Sequence, residues 1–145
     1  MKVHLAADHA GFEYKEAVKK YLAERDVEVV DHGAMSFDDQ DDFPDFIVPA
    51  AQAVAMSAGE DVGIIFGGSG QGEAMAANRV PGVRAALYYG GTTDILTLSR
   101  AHNNANILSL GARFLSIEEV LQAIALWSEI PFSGDERDVR RLSKF

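Results

Sequence analysis

Ser69 and Glu73 lie four residues apart in Gly67-Gly68-Ser69-Gly70-Gln71-Gly72-Glu73. Every second residue from Gly68 to Gly72 is glycine, so the backbone can approach a ligand closely. An apolar run of strand length, Val62 to Phe66, precedes the loop, and the helix-forming Ala74-Met75-Ala76-Ala77 follows it. The stretch reads as strand, tight turn and helix start. Helix-start N–H groups attract anions, and a hydroxyl and a carboxylate stand among them. That combination suits an oxyanion held beside a base. On its own, the loop fits equally well a tight turn closed by an acidic residue at a helix N-terminus.

Two familiar glycine loops are excluded. Counting from Gly68 and Gly70, the third glycine of a dinucleotide fingerprint would fall at Glu73. Gly67 and Gly72 have the spacing of a nucleoside triphosphate loop, but Glu73 stands where that loop needs lysine. A carboxylate there repels a triphosphate.

Other candidate groups lie further along the chain. Asp8-His9-Ala10-Gly11 closes a first strand, where Asp8 could equally be a cap. His102-Asn103-Asn104 ends a helical segment. Arg137 and Arg141 are four apart, so on a helix they share a face and could clamp a phosphate; a solvated basic helix end is the plainer reading. Arg113 is a weaker candidate of the same kind. His4 and His32 receive no role. The acidic stretch Asp38-Asp39-Gln40-Asp41-Asp42 reads as a solvated loop rather than a metal site. No cluster of metal ligands is visible, and no metal or cofactor is expected.

The elements that must position these groups alternate. Strands are expected at Lys2–Ala7, Val27–Val30, Val62–Phe66, Val83–Tyr88 and Asn106–Leu110. Helices are expected after Gly11, with Glu16 and Lys20 as an ion pair, over Ile47–Ser57, after the glycine loop, and over Thr92–Ala101 and Ile117–Trp127. A short segment opened by Pro131 runs on to Arg141. This pattern implies an α/β fold: one domain spanning 1–145 with a five-stranded parallel sheet between helical layers. Ligands of such sheets sit beyond the carboxyl ends of the strands.

Composition bounds the function. The chain has 145 residues, 48% hydrophobic and 24% charged, enough for one core. The absence of cysteine excludes disulfides, thiolate catalysis and cysteine-bound zinc. A net charge of −9 argues against nucleic-acid binding. No membrane-spanning run or signal pattern is present, and a cytoplasmic protein is expected.

Together, the Asp8 motif, the Gly67–Glu73 loop, Ala76-Ala77-Asn78, Ser99-Arg100-Ala101-His102-Asn103-Asn104 and the Arg137/Arg141 pair resemble the ribose-5-phosphate isomerase B / galactose-6-phosphate isomerase family. The resemblance covers nearly the whole chain. It implies a Rossmann-like three-layer α/β/α sandwich, metal-independent aldose–ketose isomerisation of a sugar phosphate, and a homodimer or dimer of dimers with sites between subunits, the 131–145 segment reaching its neighbour. It implies Glu73 as base, His102 as ring-opening acid–base group and Ser69 as a stabiliser of the enediolate with Gly68, Gly70 and Gly72. It puts Asp8 and Asn103 on sugar hydroxyls, and His9, Arg113, Arg137 and Arg141 near the phosphate. Ribose 5-phosphate is the expected substrate. A six-carbon aldose phosphate and a non-catalytic sugar-phosphate or nucleotide sensor are the alternatives. One branch of the family has a cysteine base where this chain has Gly67, and the chain resembles the glutamate branch. It departs from the pattern at Asp138, where relatives often have histidine, and it ends at Phe145, soon after Arg141.

Overall fold

The computed structural model describes all residues from Met1 to Phe145. Five strands form one parallel sheet: β1 (Val3–Ala7), β2 (Val29–Asp31), β3 (Val62–Gly67), β4 (Ala85–Tyr88) and β5 (Ile107–Gly111), in the order β2-β1-β3-β5-β4. Helices follow each strand: α1 (Phe12–Ala23), α2 (Pro44–Met56), α3 (Gln71–Ala77), α4 (Asp94–Ala101) and α5 (Ile117–Glu129), with a terminal α6 (Glu136–Leu142). This is the expected α/β sandwich.

Side chains alternate across each strand. Leu5, Ile64, Phe66, Leu108 and Leu110 face the layer of α1, α4 and α5, where Trp127 is fully buried. Ala6, Ile65 and Ile107 face α2 and α3. Burying each large aliphatic or aromatic side chain contributes about 1.5–3 kcal/mol.

The sheet order places the strand reversal between β1 and β3. β1 leads into the α1 face and β3 into the α3 face, so their exit loops diverge and leave a crevice. Close packing holds the two loops together there: a Cβ on Gly11 would overlap Phe66.

Some boundaries differ from expectation. β2 starts at Val29, because the N–H of Val27 bonds Leu22 O at 3.1 Å and Asp26 turns left-handed at φ 56°. α2 starts at Pro44, whose fixed φ suits a first helical position. β4 starts at Ala85, because the Arg84 N–H is taken by Asn106 Oδ1 at 2.7 Å. Glu16 pairs with Lys15 and Lys19, each at 2.7 Å, and not with Lys20. Both lysines also reach Asp31 Oδ2, so the group ties α1 to the end of β2, with Lys15 fully buried.

Candidate active site

Gly70 is the N-cap of α3 and adopts the left-handed conformation, φ 75°. That turn lifts the chain off β3 and leaves the N–H groups of Gly68, Ser69 and Gly70 without a hydrogen bond inside the protein. Successive free N–H groups in such a turn form an anion-binding concavity. Ser69 Oγ accepts the Gln71 N–H at 3.3 Å and stays partly exposed. The loop is anchored from below: a Cβ on Gly111 would stand 2.8 Å from Ser69 O, and Ser109 Oγ donates to Gly70 O at 2.7 Å.

Glu73 is the third residue of α3 and is only 4% exposed. Burial raises its carboxyl above the usual range; the nearby Asp8 charge adds to this, and its own backbone N–H opposes it. Desolvation therefore outweighs the helix start, and the side chain is a stronger base than an exposed carboxylate. Its carboxyl fills the space that a Cβ on Gly67 would occupy.

Asp8, also buried, closes the other wall of the crevice. Its Oδ1 accepts the N–H groups of Ala10 at 3.0 Å and Gly11 at 3.2 Å, shaping the entry to α1, while its Oδ2 makes no hydrogen bond. His9 is bonded through Nδ1 to Asp41 Oδ1 at 2.6 Å. Arg113, just beyond β5, donates its backbone N–H to Gly68 O at 3.0 Å. Its guanidinium lies 3.2 Å from where a Gly68 Cβ would be. Phe43 lies likewise 3.0 Å from the Cβ position of Gly72. Any side chain at either glycine would displace one of these walls.

The remaining predicted groups lie at the opposite edge. α4 runs back against the strands, so its C-cap, His102, sits by their amino ends. Arg84, one residue before β4, donates Nε–H to Asn104 O at 2.8 Å. The end of α4 is fixed: Trp127 Nε1–H donates to Ser99 Oγ at 3.1 Å, and Arg100 bonds both Ile130 O and Ala105 O. His102 is half-buried with no hydrogen bond from its ring, and Asn103 is exposed. Leu142 and Phe145 line a cavity of about 920 Å³ with Arg79, Arg84 and Asn103, which brings the end of α6 to this same edge. Arg137 and Arg141 are 55% and 64% exposed, and both contact Asp138 Oδ1, at 3.3 and 3.5 Å. Asp138 itself is buried.

One chain therefore brings Asp8, His9, Gly68, Ser69, Gly70, Gly72, Glu73 and Arg113 to the carboxyl edge, and carries His102, Asn103, Arg137 and Arg141 at the amino edge. A five-residue strand separates the groups by roughly 16 Å. The alternation of elements contained this division, because a helix between parallel strands must end at their amino side.

Asp41 was missed. The acidic stretch is not solvated throughout: the Asp41 side chain is 7% exposed and meets His9. The ligand atoms of Asp8, His9 and Asp41 lie within 4.8 Å of one another, the nearest approach to a cation-binding set. Two of them are already joined by the 2.6 Å hydrogen bond.

A base and an anion cradle at the reversal of a doubly wound sheet define a proton-transferring enzyme of the Rossmann-like α/β class. The chain belongs to the ribose/galactose isomerase family, whose sequence model matches residues 3–145. It is similar to ribose-5-phosphate isomerase B of Mycobacterium tuberculosis strain H37Rv, with 39% identity over 98% of this chain and 86% of that one. A solved structure of ribose-5-phosphate isomerase B from Mycoplasma genitalium with bound ribulose-5-phosphate superposes with a TM-score of 0.93. The two are 36% identical over 99% of this chain and 92% of that one. The enzyme of the same name from Thermotoga maritima gives 0.90 at 40% identity, covering 99% and 95% of the two chains.

Proposed function

We infer that this chain interconverts ribose 5-phosphate and ribulose 5-phosphate. The carrying observation is the buried carboxylate of Glu73 beside the free N–H groups of Gly68, Ser69 and Gly70. Family membership and the substrate names of the relatives support it.

The geometry suggests these steps. An acid–base group opens the sugar ring; His102 is the candidate, since an imidazole can both donate and accept a proton. Glu73 removes the proton from C2, and its raised basicity favours that transfer. The enediolate oxygen gains N–H donors from the glycine loop and the Ser69 hydroxyl, each typically worth about 3–4 kcal/mol. The hydroxyl proton of O2 passes to O1 and Glu73 returns its proton to C1, which leaves a carbonyl at C2. Asp8 Oδ2, free of protein partners, is available to a sugar hydroxyl, as is Asn103. His9 and Arg113 attract the phosphate, joined by Arg137 and Arg141. Phosphate binding orients the reacting carbons from a distance.

Because its components lie at two edges, a complete site requires two copies. We propose a homodimer in which the carboxyl edge of one subunit meets His102, Asn103, Arg137 and Arg141 of the other. The reaction is proposed to run without a metal, the loop N–H groups supplying the electrostatic stabilisation. A cytoplasmic setting rests on the sugar-phosphate substrate and the lack of cysteine. No helix is long and apolar enough to cross a membrane.

The test is direct. Ribose 5-phosphate incubated with the chelator-treated protein should yield ketose. Glu73→Gln should lose about 10²–10⁴-fold in kcat with KM little changed. Ketose formation within about tenfold of wild type by Glu73→Gln would remove it as the base.

A further inference from the structure

His9 has one nitrogen committed to the protein and one left free. Nδ1 lies 2.6 Å from Asp41 Oδ1, and the same oxygen accepts the His9 backbone N–H at 3.1 Å. Two donors from one residue thus converge on a carboxylate brought in from the loop before α2. Asp41 Oδ2 is buried without a hydrogen-bond partner. Such desolvation is costly unless a cation faces the carboxylate. His9 is the one basic side chain within ion-pair distance of it. The His9 ring is 28% exposed, and Phe37 meets it edge-on with centroids 6.3 Å apart. Its Nε2 makes no hydrogen bond within the chain.

We propose that Asp41 is a positioning residue, fixing the His9 ring with Nδ1–H turned inward and Nε2–H presented to the substrate's phosphate beside Arg113. This rests on the sugar-phosphate reading of the site. Asp41 touches no substrate; it acts through His9. It also holds His9 as the imidazolium. Three charged groups face the ring: Asp41, Asp8 with Oδ2 at 4.0 Å, and Arg113 from the loop after β5. The Asp41 hydrogen bond is the largest influence and raises the imidazole above its ordinary range, while Arg113 opposes. His9 therefore stays cationic at a pH where an ordinary histidine is neutral, and a phosphate dianion gains a second positive partner.

Asp41→Asn keeps an oxygen acceptor and removes the charge, whereas Asp41→Ala removes both. With ribose 5-phosphate, the KM ratio of Asp41→Asn to wild type should be near one at about pH 6, where an ordinary histidine is mostly protonated. It should rise to about tenfold at pH 8, with kcat within about threefold. Titration of the substrate phosphate is common to both proteins and cancels in the ratio. Asp41→Ala should raise KM at both pH values; if it does not fold, Asp41→Ser replaces it. A merely structural role would give a KM ratio independent of pH, and that result overturns the proposal.

Nitrogen-15 imidazole spectra of the ligand-free proteins read the ring directly. His9 should titrate higher in wild type than in Asp41→Asn, and inorganic phosphate should shift its Nε2 resonance more strongly in wild type at pH 8. A His9 titration unmoved by Asp41→Asn also overturns the proposal. These spectra need no turnover. If wild type fails to convert ribose 5-phosphate, the functional reading falls, and the spectra still decide the role of Asp41.

Discussion

Gly67 and Glu73 compete for one space: the Glu73 carboxyl lies where a Cβ on Gly67 would stand. A side chain at position 67 and the Glu73 carboxyl in its observed place thus exclude one another. The overlapping group is the tip of a flexible side chain, so it can yield while the strand stays in place. Gly67→Ala should therefore fold with a Tm within a few degrees of wild type, yet lose at least about tenfold in kcat as the base is displaced. Unchanged kcat would show that Glu73 reacts from another rotamer.

Burial raises the basicity of Glu73 at a cost in stability. Its carboxyl is raised in the folded state, so between the unfolded and folded pKa values the native protein binds more protons than the unfolded chain. Stability contributed by the neutral form is present below the unfolded pKa, near 4.5, and is lost as pH rises through the folded value. Glu73→Gln, fixed neutral, should match wild type in Tm at about pH 4 and exceed it at pH 7–8. Calorimetry of the two proteins across that range checks the sign. A Tm deficit for Glu73→Gln at neutral pH would mean that the ionised carboxylate has stabilising partners in the fold.

The layered fold was legible because apolar strands alternate with amphipathic helices, and tertiary packing followed that pattern. Boundaries slipped where a side chain or a cap captured a backbone group, as Asn106 does at Arg84 and Leu22 does at Val27. The protonation tendency of Glu73 was not legible. A helix start lowers it and burial raises it, and only the three-dimensional neighbours decide between them. Asp41 was hidden for a similar reason: its partner lies 32 residues away, reached by the path of an irregular loop. The contacts of Glu16 escaped because Asp31, outside the helix, draws Lys15 and Lys19 towards it.

Asp138 contacts both Arg137 and Arg141. Its buried carboxylate lies within 3.5 Å of both guanidinium groups, and its Oδ2 has no partner. Part of the positive charge at Arg137 and Arg141 is therefore neutralised within the chain. Both guanidinium groups are more than half exposed, so water screens the pairs, and ion pairs screened in this way are worth about 0–1 kcal/mol. Asp138→Asn should lower the inhibition constant of inorganic phosphate by up to about fivefold, with kcat little changed. Weaker phosphate inhibition would mean that Asp138 orients the arginines more than it screens them.

The proposed site groups of one chain lie at two sheet edges, and the proposed dimer joins those edges across subunits. In a dimer that joins opposite edges, a Glu73→Gln chain and an Arg137→Ala/Arg141→Ala chain carry lesions in different halves. Each should be inactive alone. Mixed in equal amounts and allowed to exchange, half of the dimers are hybrids, and each hybrid has one intact site and one doubly damaged one. About a quarter of wild-type activity should return. His102→Asn should complement Glu73→Gln in the same way, because His102 shares the amino edge with the arginines. Arg113→Ala should not, because Arg113 stands at the carboxyl edge over Gly68, on the same half as Glu73. Activity restored by the Arg113 variant, or no recovery with the arginine and His102 variants after verified exchange, would show that the two edges do not meet across subunits.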